Sequence, residues 1–183
     1  MADTLNLSST RVLLAHGNKS TSSLYESILR GFGAQTIHTA QNAPELAANL
    51  SAGHIDLAII DNTVGKAEVS EVISDVRRDR TGTARDTPIL LSYCHSSYRN
   101  ILGFRDSGAN MIMSSPFTVD GIYDRISWIA YKPRPFVVSE EYCGPCRRVK
   151  SSIAAASQGR RHDDPGQLQS SNASEDLDEF SIV

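Results

Sequence analysis

The sequence predicts an α/β fold, a doubly wound (βα)5 parallel sheet, on three observations. Short apolar runs recur at 12–15, 36–39, 57–60, 89–93 and 111–113, each too short for a buried helix. A stretch with apolar residues at helical spacing follows each run, and Gly or Ser/Thr/Asn punctuation separates the two patterns. The first helical stretch carries Leu24, Ile28 and Leu29 after the Ser/Thr run at 20–23 and stops at Gly31. The second carries Leu46, Ala47 and Leu50 after Asn42 and Pro44 and stops at Gly53. Val69, Val72, Ile73 and Val76 make the third stripe. Ile101, Leu102 and Arg105 lead to Gly108, and the last stretch runs from Pro116 through Ile122, Ile126 and Ile129. Right-handed crossovers make such an alternation a parallel sheet covered on both faces, with functional groups at the carboxyl ends of the strands.

Composition and charge divide the chain. It has 183 residues, 40% hydrophobic and 21% charged, with a net charge of −3. That total conceals −2 over residues 1–130, +3 over 131–150 and −4 over 151–183. We read residues 1–10 as an N-terminal tail, 11–130 as the domain, 131–150 as a basic, Pro-containing extension, and 151–183 as a disordered acidic tail. The tail is rich in Ser, Gly, Gln and Asp and has too few large apolar residues to offset ordering entropy. No apolar run approaches membrane-spanning length and the N-terminus lacks a basic, apolar leader, so a cytoplasmic protein is expected. Three cysteines make no disulfide framework, and the charge balance gives no overall nucleic-acid footprint. The residues after Lys150 are too few and too polar for a DNA-binding output domain.

The segments RVLLAHGN, DLAIID, TPILLSYC and SGANMIMSSPF stand at the ends of the predicted strands. Through them, residues 11–130 resemble the receiver domain of chemotaxis-type response regulators in bacterial two-component phosphorelay signalling. The 22-residue interval from Tyr93 to Ser115 matches the spacing of that family's fourth- and fifth-strand site positions. The resemblance implies a flavodoxin-like sheet of order 2-1-3-4-5, a partner histidine kinase or downstream signalling protein, and pairing of copies into a homodimer.

It also implies a site, residue by residue. Asp61 occupies the phosphoacceptor position and Thr63 the position whose carbonyl ligates Mg²⁺. A phosphoryl group beside a carboxylate needs a cation held by acidic residues, a lysine, and a hydroxyl that couples phosphate to surface change. Here the acidic pair is His16 and Gly17, the hydroxyl position is Tyr93, the lysine is Ser115 and the aromatic switch is Ile112. One carboxylate and one carbonyl hold octahedral Mg²⁺ only weakly. The expected function is therefore a non-enzymatic pseudoreceiver acting by protein–protein contact; the alternative is a receiver that accepts phosphate on Asp61. Ser92 reaches the hydroxyl role only if the fourth strand slips one residue, which flips side chains between faces. His16 is expected near Asp61, where an imidazolium offsets the carboxylate.

Residues 142–146, YCGPC, contain a CGPC dithiol, which makes Cys143 and Cys146 redox candidates. A thiol-exchange cysteine wants a helix N-terminus after a strand, whereas this motif follows the last predicted helix, so a turn is the better reading. Two thiols are too few for a zinc site. The extension KPRPFVVSEEYCGPCRRVK is apolar at Phe136, Val137 and Val138 and ends basic, and Pro133 and Pro135 prevent helix, so an extended run that packs along the domain or adds to a partner's sheet edge is expected. It resembles the Tyr, Gly-Pro, Arg-Arg tail of some alphaproteobacterial response regulators. Arg147 and Arg148 are candidates for an acidic partner or the phosphate of a cyclic dinucleotide; a solvated linker is the plain alternative. The Ser92-Tyr93-Cys94-His95-Ser96 run cannot form a relay because adjacent strand residues face opposite ways. The apolar terminus at 177–183, LDEFSIV, is a candidate peptide for a binding groove.

Overall fold

The structure is a computed structural model that describes residues 5–65, 67–80, 82–94 and 98–147. Residues 151–183, Arg148, Lys150, His95, Ser96 and the 177–183 terminus lie outside the described residues, and with them the expected disorder of the tail.

Five strands, β1 (Arg11–Ala15), β2 (Thr36–Ala40), β3 (Leu57–Asp61), β4 (Ile89–Tyr93) and β5 (Met111–Ser114), form one parallel sheet of order β2-β1-β3-β4-β5. The helices are α1 (Lys19–Gly31), α2 (Ala43–Ser51), α3 (Ala67–Arg78), α4 (Tyr98–Asp106) and α5 (Val119–Tyr131). Local chemistry sets their starts. Asn18 accepts the Ser20 and Thr21 N–H groups at the head of α1, Asn42 accepts that of Glu45, and Thr118 accepts that of Gly121. Gly53 and Gly108 follow helices with positive φ, as the sequence punctuation predicts, whereas after α1 the positive-φ glycine is Gly33 and the expected stop, Gly31, is the last residue of the helix.

The strand period of two builds two cores. Leu14, Ile59 and Leu90 face α1 and α5 with Tyr25, Leu29, Ile122 and Ile126. Leu13, Ile60 and Leu91 face the other way with Leu46, Leu50, Val69, Ile73 and Phe104. The segment read as an N-terminal tail joins the first core: Leu5 and Leu7 are buried, and their N–H groups donate to the Tyr123 hydroxyl and the Phe32 carbonyl. Its apolar residues alternate and so bury on one side, a pattern too short to read as an element.

The basic extension folds onto the domain. β6 (Phe136–Val138) and β7 (Cys143–Pro145) pair antiparallel, and residues 142–145 are buried. Their anchor is Arg77 at the end of α3, only 1% exposed. Its guanidinium donates to the Gly108 carbonyl at 3.0 Å, the Thr87 carbonyl at 2.9 Å, the Asn110 side chain at 2.9 Å and the Arg85 carbonyl. Burial pulls Arg77 down to about 10, which leaves it charged at neutral pH. Phe136 lies over both Arg77 and Arg85, at 5.9 and 5.2 Å. β7 then comes so close to the turn before β5 that a Cβ on Gly108 would stand 2.7 Å from the Cys143 carbonyl oxygen and 2.9 Å from Arg77 Cγ. Because Gly108 also has φ +97°, alanine there meets both strain and collision.

Gly108→Ala is expected to undock the hairpin and lower stability by about 1–3 kcal/mol. Urea unfolding gives the loss, and amide exchange across 136–145 reports the undocking; unchanged protection there contradicts the packing described.

Candidate functional site

The carboxyl ends of β1, β3 and β4 bring His16, Asp61 and Ser92 together beneath α1. Asp61 ends β3 and is 4% exposed, so its carboxylate needs internal donors. Both oxygens have them. Oδ1 accepts the Thr63 N–H at 3.0 Å and the Thr63 hydroxyl at 2.6 Å. Oδ2 accepts the Ser92 hydroxyl at 2.5 Å. Each hydroxyl is itself supplied from behind: the Gly17 N–H donates to Thr63 Oγ1 at 3.1 Å, and the Tyr25 hydroxyl points at Ser92 Oγ from 3.4 Å. Two short relays thus converge on one carboxylate.

Ser92, not Tyr93, supplies the fourth-strand hydroxyl, which corrects the sequence alignment. Asp61 and Ser92 are register partners across β3 and β4. Partners in a parallel ladder share a face, so Ser92 reaches Asp61 without any slip. Tyr93 necessarily points to the other face, where its ring lies 5.9 Å from that of Phe104. Ile112 packs on that same face. The signal for Ser92 was present in the alternation of Leu90 and Leu91, but a spacing taken from the resemblance outweighed it.

His16 is where the sequence places it, with Nε2 3.8 Å from Asp61 Oδ1. Its Nδ1 accepts the Asn18 N–H at 2.9 Å, which holds the ring with Nε2 toward the carboxylate. Thr63 Oγ1 lies 3.5 Å from Nδ1, but its one proton goes to Asp61. The ring forms a wall beside the carboxylate, 5.9 Å from the Tyr25 ring.

Tyr25 fills the space above Ser92. It is fully buried and stacks against Phe117 at 4.6 Å. Burial raises its phenol well above the ordinary tyrosine value, so it is a proton donor throughout the neutral range. Ser115 donates its N–H to the Tyr93 carbonyl at 2.7 Å, and its side chain brings no positive charge.

The remaining candidates lie at the opposite end of the sheet. Arg147 is exposed, pairs with Asp106 and covers the Tyr142 ring at 4.1 Å. Cys143 is buried in β7, its thiol donating to the Arg77 carbonyl at 2.8 Å. Cys143 stands in a strand, and among the described residues no helix begins at the motif as a thioredoxin-like arrangement would need.

No protein-family profile matches the chain, and no curated protein matches it by sequence. Solved structures do. The receiver domain of a signal transduction histidine kinase from Syntrophus aciditrophicus superposes with a TM-score of 0.60 at 17% identity, over 71% of this chain and 97% of that one. A chemotaxis response regulator of Vibrio cholerae gives 0.58 at 20%, over 66% and 98%. The receiver domain of a sensor histidine kinase from Pseudomonas aeruginosa, solved with magnesium in its active-site cleft, gives 0.57 at 16%, over 65% and 94%. The chain has the receiver fold.

The residues here do not fit the divalent cation that this fold implies. A Cβ on Gly17 would stand 2.5 Å from the Thr63 carbonyl oxygen. The backbone of one expected ligand position therefore lies against the carbonyl of the other, with no room between them for a side chain at Gly17. Among the described residues no three His, Cys, Asp or Glu side chains cluster as ligands, and the Asp61 oxygens are already bonded.

Gly17→Asp, which restores the acid that the resemblance calls for, is expected to lower stability by about 1–3 kcal/mol through this collision and to gain no Mg²⁺ affinity. Urea unfolding and an NMR-monitored Mg²⁺ titration check both. For Tyr25, whose folded value exceeds its unfolded value of about 10, the associated stability is intact below that pH and is lost as pH rises above it. A spectrophotometric titration is expected to show a phenol that ionises only with alkaline unfolding and disappears in Tyr25→Phe.

Proposed function

We propose that this protein is a pseudoreceiver: a receiver-fold module that works in two-component signalling through protein–protein contact, without phosphate on Asp61. The observation that carries the reading is the double occupation of the Asp61 carboxylate. An attacking oxygen must be free and aligned with the incoming phosphoryl group. Here Oδ2 must first give up Ser92, or Oδ1 the Thr63 hydroxyl and N–H. Each such charge-assisted bond is worth about 1.5–3 kcal/mol. The phosphoryl charge then finds neither the metal-binding acids nor the lysine of a phosphorylated site, since a histidine, a glycine and a serine stand at positions 16, 17 and 115.

The alternative, a receiver taking phosphate on Asp61 from a histidine kinase, needs a cation that these residues do not accommodate. A dithiol oxidoreductase has less support still, because Cys143 is buried in a strand. Without a phosphorylation cycle the module is non-enzymatic and needs no cofactor. Its partners are signalling proteins of the two-component class, the class to which the structural neighbours belong. Contacts through α4, β5 and α5 or through the hairpin suit that role. Among the described residues no helix is long and apolar enough to cross a membrane.

The full chain treated with Mg²⁺ and beryllofluoride, and separately with a small phosphodonor, is expected to show no mass adduct and no NMR shifts at Gly17, Asp61 or Ser92. An adduct on Asp61 overturns the proposal in favour of the phosphorylatable receiver.

A further inference from the structure

The CGPC motif lies at the far end of the sheet from Asp61 and takes no part in the proposed function. Cys143 Sγ is held between the Arg77 carbonyl, to which it donates at 2.8 Å, and the Arg85 guanidinium at 3.5 Å. Cys146 is half-buried at the rim, and its N–H donates to the Pro135 carbonyl at 2.8 Å, which extends the β6–β7 ladder past Pro145. Extended backbone advances about 3.3 Å per residue, so the two Cα atoms stand about 10 Å apart. An odd separation also turns the side chains to opposite faces. A disulfide needs Cα atoms within about 7 Å and Cβ vectors that converge. The docked hairpin therefore holds the dithiol in a geometry that cannot close.

We propose that Cys143 and Cys146 are an oxidation site for peroxides, and that closing their disulfide requires β7 to leave its seat on Arg77 and Gly108. The chemistry balances in two steps. The Cys146 sulfur attacks one peroxide oxygen, the O–O bond breaks, and the leaving oxygen takes the thiol proton to depart as water or an alcohol, leaving a sulfenic acid. The Cys143 sulfur then attacks that sulfur, the S–O bond breaks, and the departing hydroxide takes the Cys143 proton to leave as water. Two thiols are oxidised by two electrons and one peroxide is reduced by two.

Oxidation removes more than a thiol. The Cys143 S–H bond to the Arg77 carbonyl is lost, and the close approach of residue 144 to Gly108, where a Cβ on Gly144 would meet the Gly108 Cα at 2.8 Å, is lost with it. Phe136 then has no fixed place over Arg77 and Arg85. The hairpin becomes a latch that is shut when reduced and open when oxidised, on a surface distinct from the Asp61 end.

The test uses the full chain carrying Cys94→Ser, treated with hydrogen peroxide and compared with the reduced form by intact mass, peptide mapping and amide exchange. The expected result is loss of two hydrogens mapped to a Cys143–Cys146 link, with exchange at 136–145 and 107–110 rising about tenfold or more and returning with reductant. Adding Cys146→Ser at the half-buried rim position is expected to abolish the link and keep the hairpin protected in peroxide. The proposal is overturned if the link forms while exchange stays unchanged, or if peroxide leaves no link between these two cysteines.

Discussion

A carboxylate buried at 4% exposure governs the upper end of this molecule. Asp61 cannot be withdrawn from water without donors, and the surroundings are arranged to supply them. Ser92 is brought by strand register, and Thr63 by the tight 3₁₀ turn Asn62–Val64 that follows β3. Tyr25 and Gly17 stand behind them. The same arrangement that satisfies the charge engages both carboxylate oxygens, which is the ground for the proposed pseudoreceiver. The Thr63 carbonyl also stands close against Gly17, where a Cβ would meet it at 2.5 Å.

The lower end poses the same problem with the opposite sign. Arg77 is buried with its guanidinium donating to three carbonyls and to the Asn110 side chain. It gathers the end of α3, the turn before β4 and the turn before β5, and the β6–β7 hairpin closes over it. Carbonyl dipoles fixed by the fold can hold a guanidinium because its planar fork matches several at once, where a lysine would meet one or two. The extension is therefore a structural part of the domain. Its net positive charge is partly spent internally, through Arg147 on Asp106 and Tyr142 and through Arg134 over Trp128 at 4.8 Å.

These two centres leave different freedoms. At the Asp61 end the polar groups form closed relays, which suits a module presenting one surface to a partner. At the Arg77 end the hairpin is a separate two-stranded sheet, held to the domain by the Cys143 thiol, Phe136 over Arg77 and Arg85, the Arg147–Asp106 pair and one close glycine contact rather than by a shared ladder. Mobility that serves regulation is drawn from such locally weak units.

The sequence by itself determined the five strands, the capped helices and the parallel order expected from the resemblance, because period, caps and glycine stops are local and each pointed the same way. It also determined that Asp61 and His16 share a strand-end cluster and that positions 16, 17 and 115 bring no acids or lysine. Only the tertiary structure decided which hydroxyl meets Asp61, since the choice between Ser92 and Tyr93 depends on β3–β4 register. It alone decided how the His16 ring is held, through a hydrogen bond from the Asn18 N–H. The docking of Leu5 and Leu7 was likewise illegible, and for the extension only the structure chose packing on the domain over a partner's sheet edge, because each is a short apolar segment whose burial depends on partners far away in the chain. Nothing in the sequence around Arg77 reveals that four acceptors from two separate turns converge on it.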